Sequence, residues 1–137
     1  MKWVTWENVG VDRIACAWLI KKWIDSEAEF SFVPIGQKPL PEGFEPFDIP
    51  GVRLSHRRGH CTFHTMLKEF KIKDPVLERM AKIVDEADTI QEIFLEPIAP
   101  GLDFICDGIR LTSADDIIAL ERGSIVFEAL YAQLKVK

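Results

Sequence analysis

The N-terminal 35 residues contain the feature that most limits the fold, a helix that is apolar on nearly every face. This helix is predicted from Arg13 to about Asp25, with Asp12 as its N-cap. A helix without a polar face must be largely buried. Short β-branched and aromatic segments flank it at Trp3–Trp6 and Glu29–Ile35. Strand, buried helix and strand in this order predict a βαβ unit with two parallel strands.

The middle of the chain is predicted to contain a loop, a strand and a short helix. Residues 36–51 are rich in proline and glycine and predict an ordered loop. Val52–His56 predicts a third strand. Thr62 is a suitable N-cap for a short helix that ends near Phe70.

The C-terminal half is predicted to be helical. Asp74 followed by Pro75 predicts a helix start, and this helix continues to about Asp88. A further helix is predicted over 93–110. Ser113 resembles a capping-box residue for a final helix, which Gly123 is expected to break or kink. The fold class is therefore α+β, a small N-terminal sheet with a βαβ unit followed by a helical C-terminal half, in a single domain over 1–137.

Composition and charge exclude several classes of protein. The net charge is −5, which disfavours binding to nucleic acid over a whole basic surface. No apolar segment approaches the length of a membrane span, and the first residues do not resemble a secretory signal. Three widely spaced cysteines do not form a disulfide framework. These features predict a cytoplasmic protein without a membrane segment.

The helix that begins at Pro75 places carboxylates on its apolar side. At 100° per residue, the buried stripe is centred on residues such as Met80 and Val84, with Asp88 near its centre and Asp85 at its edge. A carboxylate that faces a core must be paired, hydrogen-bonded or bound to a metal ion. The alternatives are that the helix has ended by Asp88, that Asp88 pairs with a buried arginine, or that it caps a neighbouring helix.

All three histidines lie within nine residues, at His56, His60 and His64. Together with an inward carboxylate they predict a site for zinc, manganese, iron or nickel, with His56, His64 and Asp88 as ligands. His60 and Asp85 are spare ligands. Gly59 argues against one continuous helix, so the three histidines do not simply share a helix face. The alternative is three ordinary surface or hydrogen-bonded histidines.

Arginines close to the histidines predict an anion site. Arg57 and Arg58 form part of a local positive segment in an acidic chain, and guanidinium groups suit oxyanions. Arg13 lies at a helix N-terminus, where backbone N–H groups also attract anions. The alternatives are a solvated loop for Arg57 and Arg58, and for Arg13 a structural ion pair with a nearby aspartate.

Two cysteines lie in contexts that bear on thiol chemistry. Cys16 lies in the apolar helix and is expected to be an inert core thiol. Cys61 precedes a helix and lies near arginines, which predicts a lowered thiol pKa and makes Cys61 the candidate catalytic residue.

Several segments resemble the ChrB-type chromate resistance family, at the ChrB C-terminal domain and its stand-alone relatives. They are VDRIACAWLIKKWID (Val11–Asp25), AEFSFVP, PFDIPGVRLSHRRGHCTFH (Pro46–His64), DPVLERMAKIVDEADT (Asp74–Thr89) and FEALYA. Two positions depart from the family pattern. Ala17 replaces a common proline, and His64 replaces an acidic residue, which keeps a metal-ligand type but changes its charge.

The resemblance implies a role in chromate resistance. Family members are described as chromate-responsive regulators and occur beside a chromate efflux pump or fused to rhodanese-like modules. The resemblance also implies three kinds of partner, namely an oxyanion such as chromate or sulfate, a rhodanese-like sulfurtransferase, or proteins of chromate operons. Direct DNA binding is not expected, because the region preceding this domain in full regulators is not part of the sequence.

Three functions remain open from the sequence. The first is a chromate-resistance accessory protein that binds a divalent metal ion and an oxyanion. The second is a metal- or thiol-dependent enzyme of unknown substrate. The third is a metal-free regulatory or interaction module.

Overall fold

The computed structural model describes residues 1–136 and begins with the expected βαβ unit. Strand β1 (Lys2–Trp6) leads into helix α1 (Val11–Leu19), which continues as a π-helical turn (Ile20–Ile24), and strand β2 (Glu29–Val33) follows. The two strands are parallel and pair along their whole length. Helix α1 is buried on almost all sides, as its apolar composition predicts.

A third strand exists, but it does not lie where the sequence predicts it. Strand β3 (Glu45–Pro46) pairs parallel to β1, which gives the sheet order β2-β1-β3. The prediction of a strand over Val52–His56 is wrong, since only Leu54 forms an isolated bridge, to Phe47. The backbone turns sharply at Gly51, whose φ is 91°, and the segment that follows cannot continue the ladder.

The helical half consists of α2 (Thr62–Glu69), α3 (Pro75–Asp88), α4 (Ile98–Thr112) and α5 (Asp116–Lys135). The boundaries of α3 agree with the prediction, because the Asp74 side chain accepts hydrogen bonds from the first turn of the helix. The α+β fold class is confirmed.

Three predicted helix starts are corrected. Gly10, and not Asp12, occupies the N-cap of α1. Cys61 occupies the N-cap of α2, so Thr62 is already its first residue. The N-cap of α5 is Asp115, whose carboxylate accepts the N–H of Ile118, whereas Ser113 ends α4.

Two further corrections concern α4 and α5. Helix α4 begins at Ile98, five residues later than predicted. Helix α5 continues through Gly123 without a break. A Cβ at Gly123 would lie 2.3 Å from Cγ2 of Ile14, so this glycine allows α1 and α5 to approach closely. In the described part of the chain, no helix combines the length and the apolar character needed to cross a membrane.

Candidate functional site

Asp12 connects α1 to the start of α2. Its side chain is only 2% exposed, although it lies in an otherwise apolar helix. The carboxylate accepts hydrogen bonds from the backbone N–H groups of Thr62 (2.8 Å) and Phe63 (3.1 Å). Asp12 therefore caps α2 from another helix, and this bonding offsets the cost of burying the carboxylate.

Asp48 approaches the same place from the loop after β3. Its backbone is left-handed, with φ of 54°, a conformation that aspartate tolerates better than most residues. Oδ1 accepts a hydrogen bond from the Thr62 hydroxyl (2.6 Å), and Oδ2 pairs with Nε of Arg13 (3.1 Å). These two partners hold the carboxylate beside that of Asp12.

His56 brings the carboxylates together. Its Nε2 lies 3.0 Å from Oδ2 of Asp12, 3.0 Å from Oδ2 of Asp88 and 3.6 Å from Oδ1 of Asp48. One N–H group can form a well-directed hydrogen bond with only one acceptor at a time. The four residues Asp12, Asp48, His56 and Asp88, called the Asp–His cluster below, therefore have more acceptors than this nitrogen can satisfy.

The electrostatics of the Asp–His cluster favour an added positive charge. Hydrogen bonds to Asp12 and Asp88 raise the pKa of His56 to about 10. Burial, with the neighbouring carboxylate of Asp12, raises the pKa of Asp48 to about 8. Burial also raises the pKa of Asp88. Without another cation, the cluster retains protons in order to limit repulsion between its carboxylates.

The donor atoms fit a divalent metal ion. Single ligand atoms of Asp12, Asp48 and His56 all lie within 4.8 Å of one another. The cluster lines a cavity of about 520 Å³, and the His56 side chain is 48% exposed. A metal ion held here would keep coordination positions open to a ligand from the cavity. In such a position it can polarise a bound oxygen or lower the pKa of bound water.

The other two histidines form a separate group, although they are close in sequence. His60 Nδ1 lies 2.7 Å from Oδ2 of Asp85, whose Oδ1 accepts the N–H of Cys61 (2.8 Å). The rings of His60 and His64 stack with centroids 3.9 Å apart and an angle of 15° between planes. Of the ligands predicted from sequence, His56 and Asp88 meet, while His64 joins His60 and Asp85.

A tight turn separates the two histidine groups. Arg57 and His60 exchange both backbone hydrogen bonds across the turn, at 3.1 and 3.0 Å. Arg58 and Gly59 between them both have positive φ, 54° and 80°, as a type I′ turn requires. The chain reverses here, so the four-residue spacing does not place His56 and His60 on one face.

The predicted anion-binding arginines already have protein partners or lie at the surface. Arg13 pairs with Asp48 and also donates to the backbone carbonyl of Asp48 (2.9 Å) and to those of Trp6 and Glu7. Arg57 pairs with Glu69, 3.3 Å away, and donates to the carbonyl of Arg53. Arg58 lies exposed in the turn.

The expectation of a lowered pKa at Cys61 is wrong. Its side chain is fully buried, and burial together with Asp12 and Asp85 raises the thiol pKa well above its ordinary value. The pKa of Cys16 is raised in the same way. A buried protonated thiol is a poor nucleophile, so the structure does not favour thiol chemistry at Cys61.

Sequence reasoning did not identify Asp12 and Asp48 as site residues. Asp12 is the one acidic residue amid the apolar positions of α1, and that isolation is a usable sign of a special role. Asp48 has no comparable pattern around it beyond its position in the FDIPG segment. Its role depends on a left-handed backbone that the residue type permits but does not predict.

Comparison with known proteins gives one family. The family described as "ChrB, C-terminal domain" matches residues 3–134. The chain is 28% identical over 131 residues to Protein ChrB of Cupriavidus metallidurans. This alignment covers 95% of the chain but only 40% of that relative, so the chain spans about two fifths of its length. No solved structure gives a significant match.

Proposed function

Because the chain belongs to the ChrB C-terminal domain family, we propose that it is a cytoplasmic chromate-resistance accessory protein whose Asp–His cluster binds one divalent metal ion. The observation that carries this proposal is the convergence of oxygen atoms from three carboxylates on Nε2 of His56. A metal ion at this point could bind Asp12, Asp48 and His56 together, since their ligand atoms lie within 4.8 Å of one another, and its charge would offset part of that of the nearby Asp88.

The donor set favours some metals over others. The carboxylates of Asp12 and Asp48 supply hard oxygen ligands beside one imidazole, and this mixture suits Mn²⁺ and Fe²⁺. Zinc and nickel also accept imidazole and carboxylate ligands. Sites elsewhere in the cell with more nitrogen or sulfur ligands suit these two metals better than this oxygen-rich set does. We therefore expect Mn²⁺ or Fe²⁺ to be the resident ion.

The oxyanion belongs to the same proposal. The guanidinium of Arg13 is already engaged by Asp48 and three backbone carbonyls. We therefore favour an arrangement in which chromate or sulfate binds the metal ion from the 520 Å³ cavity. Binding by Arg57 and Arg58, and association with a sulfurtransferase or other chromate-operon protein, stay predictions.

Metal binding is tested directly on the untagged protein. After treatment with a chelator and dialysis, Mn²⁺ and Zn²⁺ are titrated by calorimetry, and bound metal is measured by elemental analysis. We expect one metal ion per chain in the wild type and a large loss of affinity in Asp48→Asn and His56→Gln. Asn at position 48 keeps an acceptor for Thr62 and tolerates positive φ, but it loses the ion pair with Arg13. Arg13 keeps its three backbone carbonyl acceptors, so folding should survive.

The matched control is His64→Gln, which removes a histidine from the other group. It should bind metal as the wild type does. Equal affinity in wild type, Asp48→Asn and His56→Gln would overturn the proposed site, and so would a wild type that binds no metal. The link to chromate is tested by growth of an expressing host on chromate, where Asp48→Asn should lose protection and His64→Gln should keep it.

A further inference from the structure

A second cavity is lined by none of the four residues of the Asp–His cluster. Its volume is about 700 Å³, and four of the ten lysines of the chain line it: Lys68, Lys71, Lys73 and Lys82. These lysines come from α2, from the loop that follows it and from α3. Their convergence makes a locally positive cavity in a protein of net charge −5. It is called the lysine cavity below.

The lysines of this cavity are not balanced by ion pairs. Within residues 1–136, none of the four has a carboxylate oxygen within 4.0 Å, whereas Lys22 in the π-helical turn pairs with Glu128. Two acidic residues also line the cavity. One of them, Asp85, is occupied by His60 and the N–H of Cys61, and the other is Glu78, a single carboxylate beside four lysines. An excess of positive charge therefore remains.

The stacked histidines form one polar wall of the cavity. Asp85 holds His60 through Nδ1, which leaves Nε2 free of that contact. Burial and the adjacent ring of His60 lower the pKa of His64, so His64 is neutral at neutral pH. A neutral imidazole can donate one hydrogen bond to an oxygen without requiring a counter-ion.

The remaining wall is apolar and sets the size of the ligand. Leu67, Ile72 and Ala81 line the cavity between the charged groups. Pockets that take organic molecules have volumes of about 300–1,000 Å³ and combine apolar walls with a few polar groups. A tetrahedral oxyanion alone would leave most of this cavity, and all of its apolar wall, without contacts.

We infer that the lysine cavity binds a small organic anion, with its carboxylate, sulfonate or phosphate group among the lysines and the stacked histidines. Its aromatic or aliphatic body packs on Leu67, Ile72 and Ala81. This site does not share a ligand-binding residue with the Asp–His cluster. The inference therefore stands or fails independently of the proposed metal site.

The test uses anilinonaphthalene sulfonate, a fluorescent molecule with one sulfonate on an apolar aromatic body. We expect saturable fluorescence enhancement that weakens as salt is raised. The double variant Lys68→Gln/Lys82→Gln should weaken binding about fivefold to tenfold. Backbone amide NMR shifts during the titration should be largest for residues that line the cavity.

Two controls separate this site from other dye-binding surfaces. Lys2→Gln/Lys135→Gln makes the same change in net charge outside the cavity and should alter affinity less than about twofold. Phe104→Ser changes the exposed apolar side of α4, where Phe104 is 80% exposed, and should also leave binding intact. The inference is overturned if both lysine pairs have the same effect, or if Phe104→Ser abolishes the fluorescence. Asp48→Asn should bind the dye normally whatever its effect on metal.

Discussion

The Asp–His cluster and the lysine cavity both include an aspartate that contacts the start of α2, but they share no residue and differ in charge. In each, a buried aspartate accepts a hydrogen bond from at least one backbone N–H at this helix start and also contacts a histidine. Asp12 contacts His56, and Asp85 contacts His60. Beyond this shared core, the first side adds two carboxylates and the second adds four lysines.

The difference shows how similar local pairs acquire opposite chemistry. A histidine beside a carboxylate is common to both sides, and it does not by itself determine the ligand. The surrounding charges determine the ligand. A cation relieves repulsion where carboxylates lie close together, and an anion relieves repulsion where ammonium groups lie close together. A metal ion suits the first side, and an organic anion suits the second. The predictions below test this division.

The largest effect is expected from removing the two helix-capping aspartates. Asp12→Ala should lose metal binding and destabilise the fold by about 2–4 kcal/mol, because two buried N–H groups lose their acceptor. Asp85→Ala should destabilise by about 2 kcal/mol and yet retain metal binding. Urea unfolding and metal titration measure both quantities.

Asp12→Asn is the milder variant that keeps this comparison interpretable if Asp12→Ala does not fold. The single amide oxygen can keep only one of the two N–H hydrogen bonds at the start of α2, and the charge is lost. We expect weaker metal binding and a smaller loss of stability than in Asp12→Ala. If Asp85→Ala lost metal as completely as Asp12→Asn, the two sides would not be independent.

The next largest effect is the pH dependence of metal binding. The raised pKa values of His56, about 10, and Asp48, about 8, mean that both groups hold protons near neutral pH. Metal must displace these protons, so affinity should rise about tenfold per pH unit for each proton released between about pH 6 and 8. Calorimetry in two buffers of different ionisation enthalpy counts the protons. An affinity that does not change with pH would contradict this prediction.

The metal-free protein should show the opposite trend. A raised pKa in the folded state means that the folded protein binds protons more tightly than the unfolded chain. The contribution of His56 is therefore complete below about pH 6.5 and is lost as pH rises toward about 10. Urea unfolding with a chelator present should give lower stability at about pH 9 than at about pH 6.

A smaller effect is expected at the turn that separates the two sides. Gly59→Ala places a side chain at φ of 80° and should cost about 1 kcal/mol, with a modest loss of metal affinity as His56 shifts. Gly108→Ala in α4 is the matched control and should be neutral or slightly stabilising, since nothing lies within 4 Å of the added Cβ. Equal stabilities of the two variants would show that the turn tolerates side chains.

The smallest effect is expected at Arg57, which follows His56 in the chain and forms the turn with His60. Its ion pair with Glu69 is exposed, so Arg57→Gln should cost about 0.5 kcal/mol or less and leave metal binding unchanged. The same variant tests the anion site predicted from the sequence. A clear loss of sulfate or chromate binding in Arg57→Gln would support that site, and unchanged binding would count against it.

Much of the fold follows from local patterns. The sequence predicts the helix from Pro75 to Asp88, and its start is a local feature because Asp74 caps it by accepting hydrogen bonds from Val76 and Leu77. The βαβ unit was predicted because an apolar helix between two short strands has few other arrangements. The strand expected over Val52–His56 fails directly after a positive-φ residue, Gly51, that redirects the chain.

The sequence by itself determined the residue types from which a site can be made, and it placed His56 and Asp88 among them. Only the tertiary structure decided which residues meet. Asp12 reaches α2 across a separation of 50 residues, and Asp48 reaches it from a loop with a left-handed backbone. Such contacts depend on the packing of whole elements, and a local sequence pattern carries no record of that packing. The same packing separates the three evenly spaced histidines, placing His56 among carboxylates and His60 and His64 beside lysines.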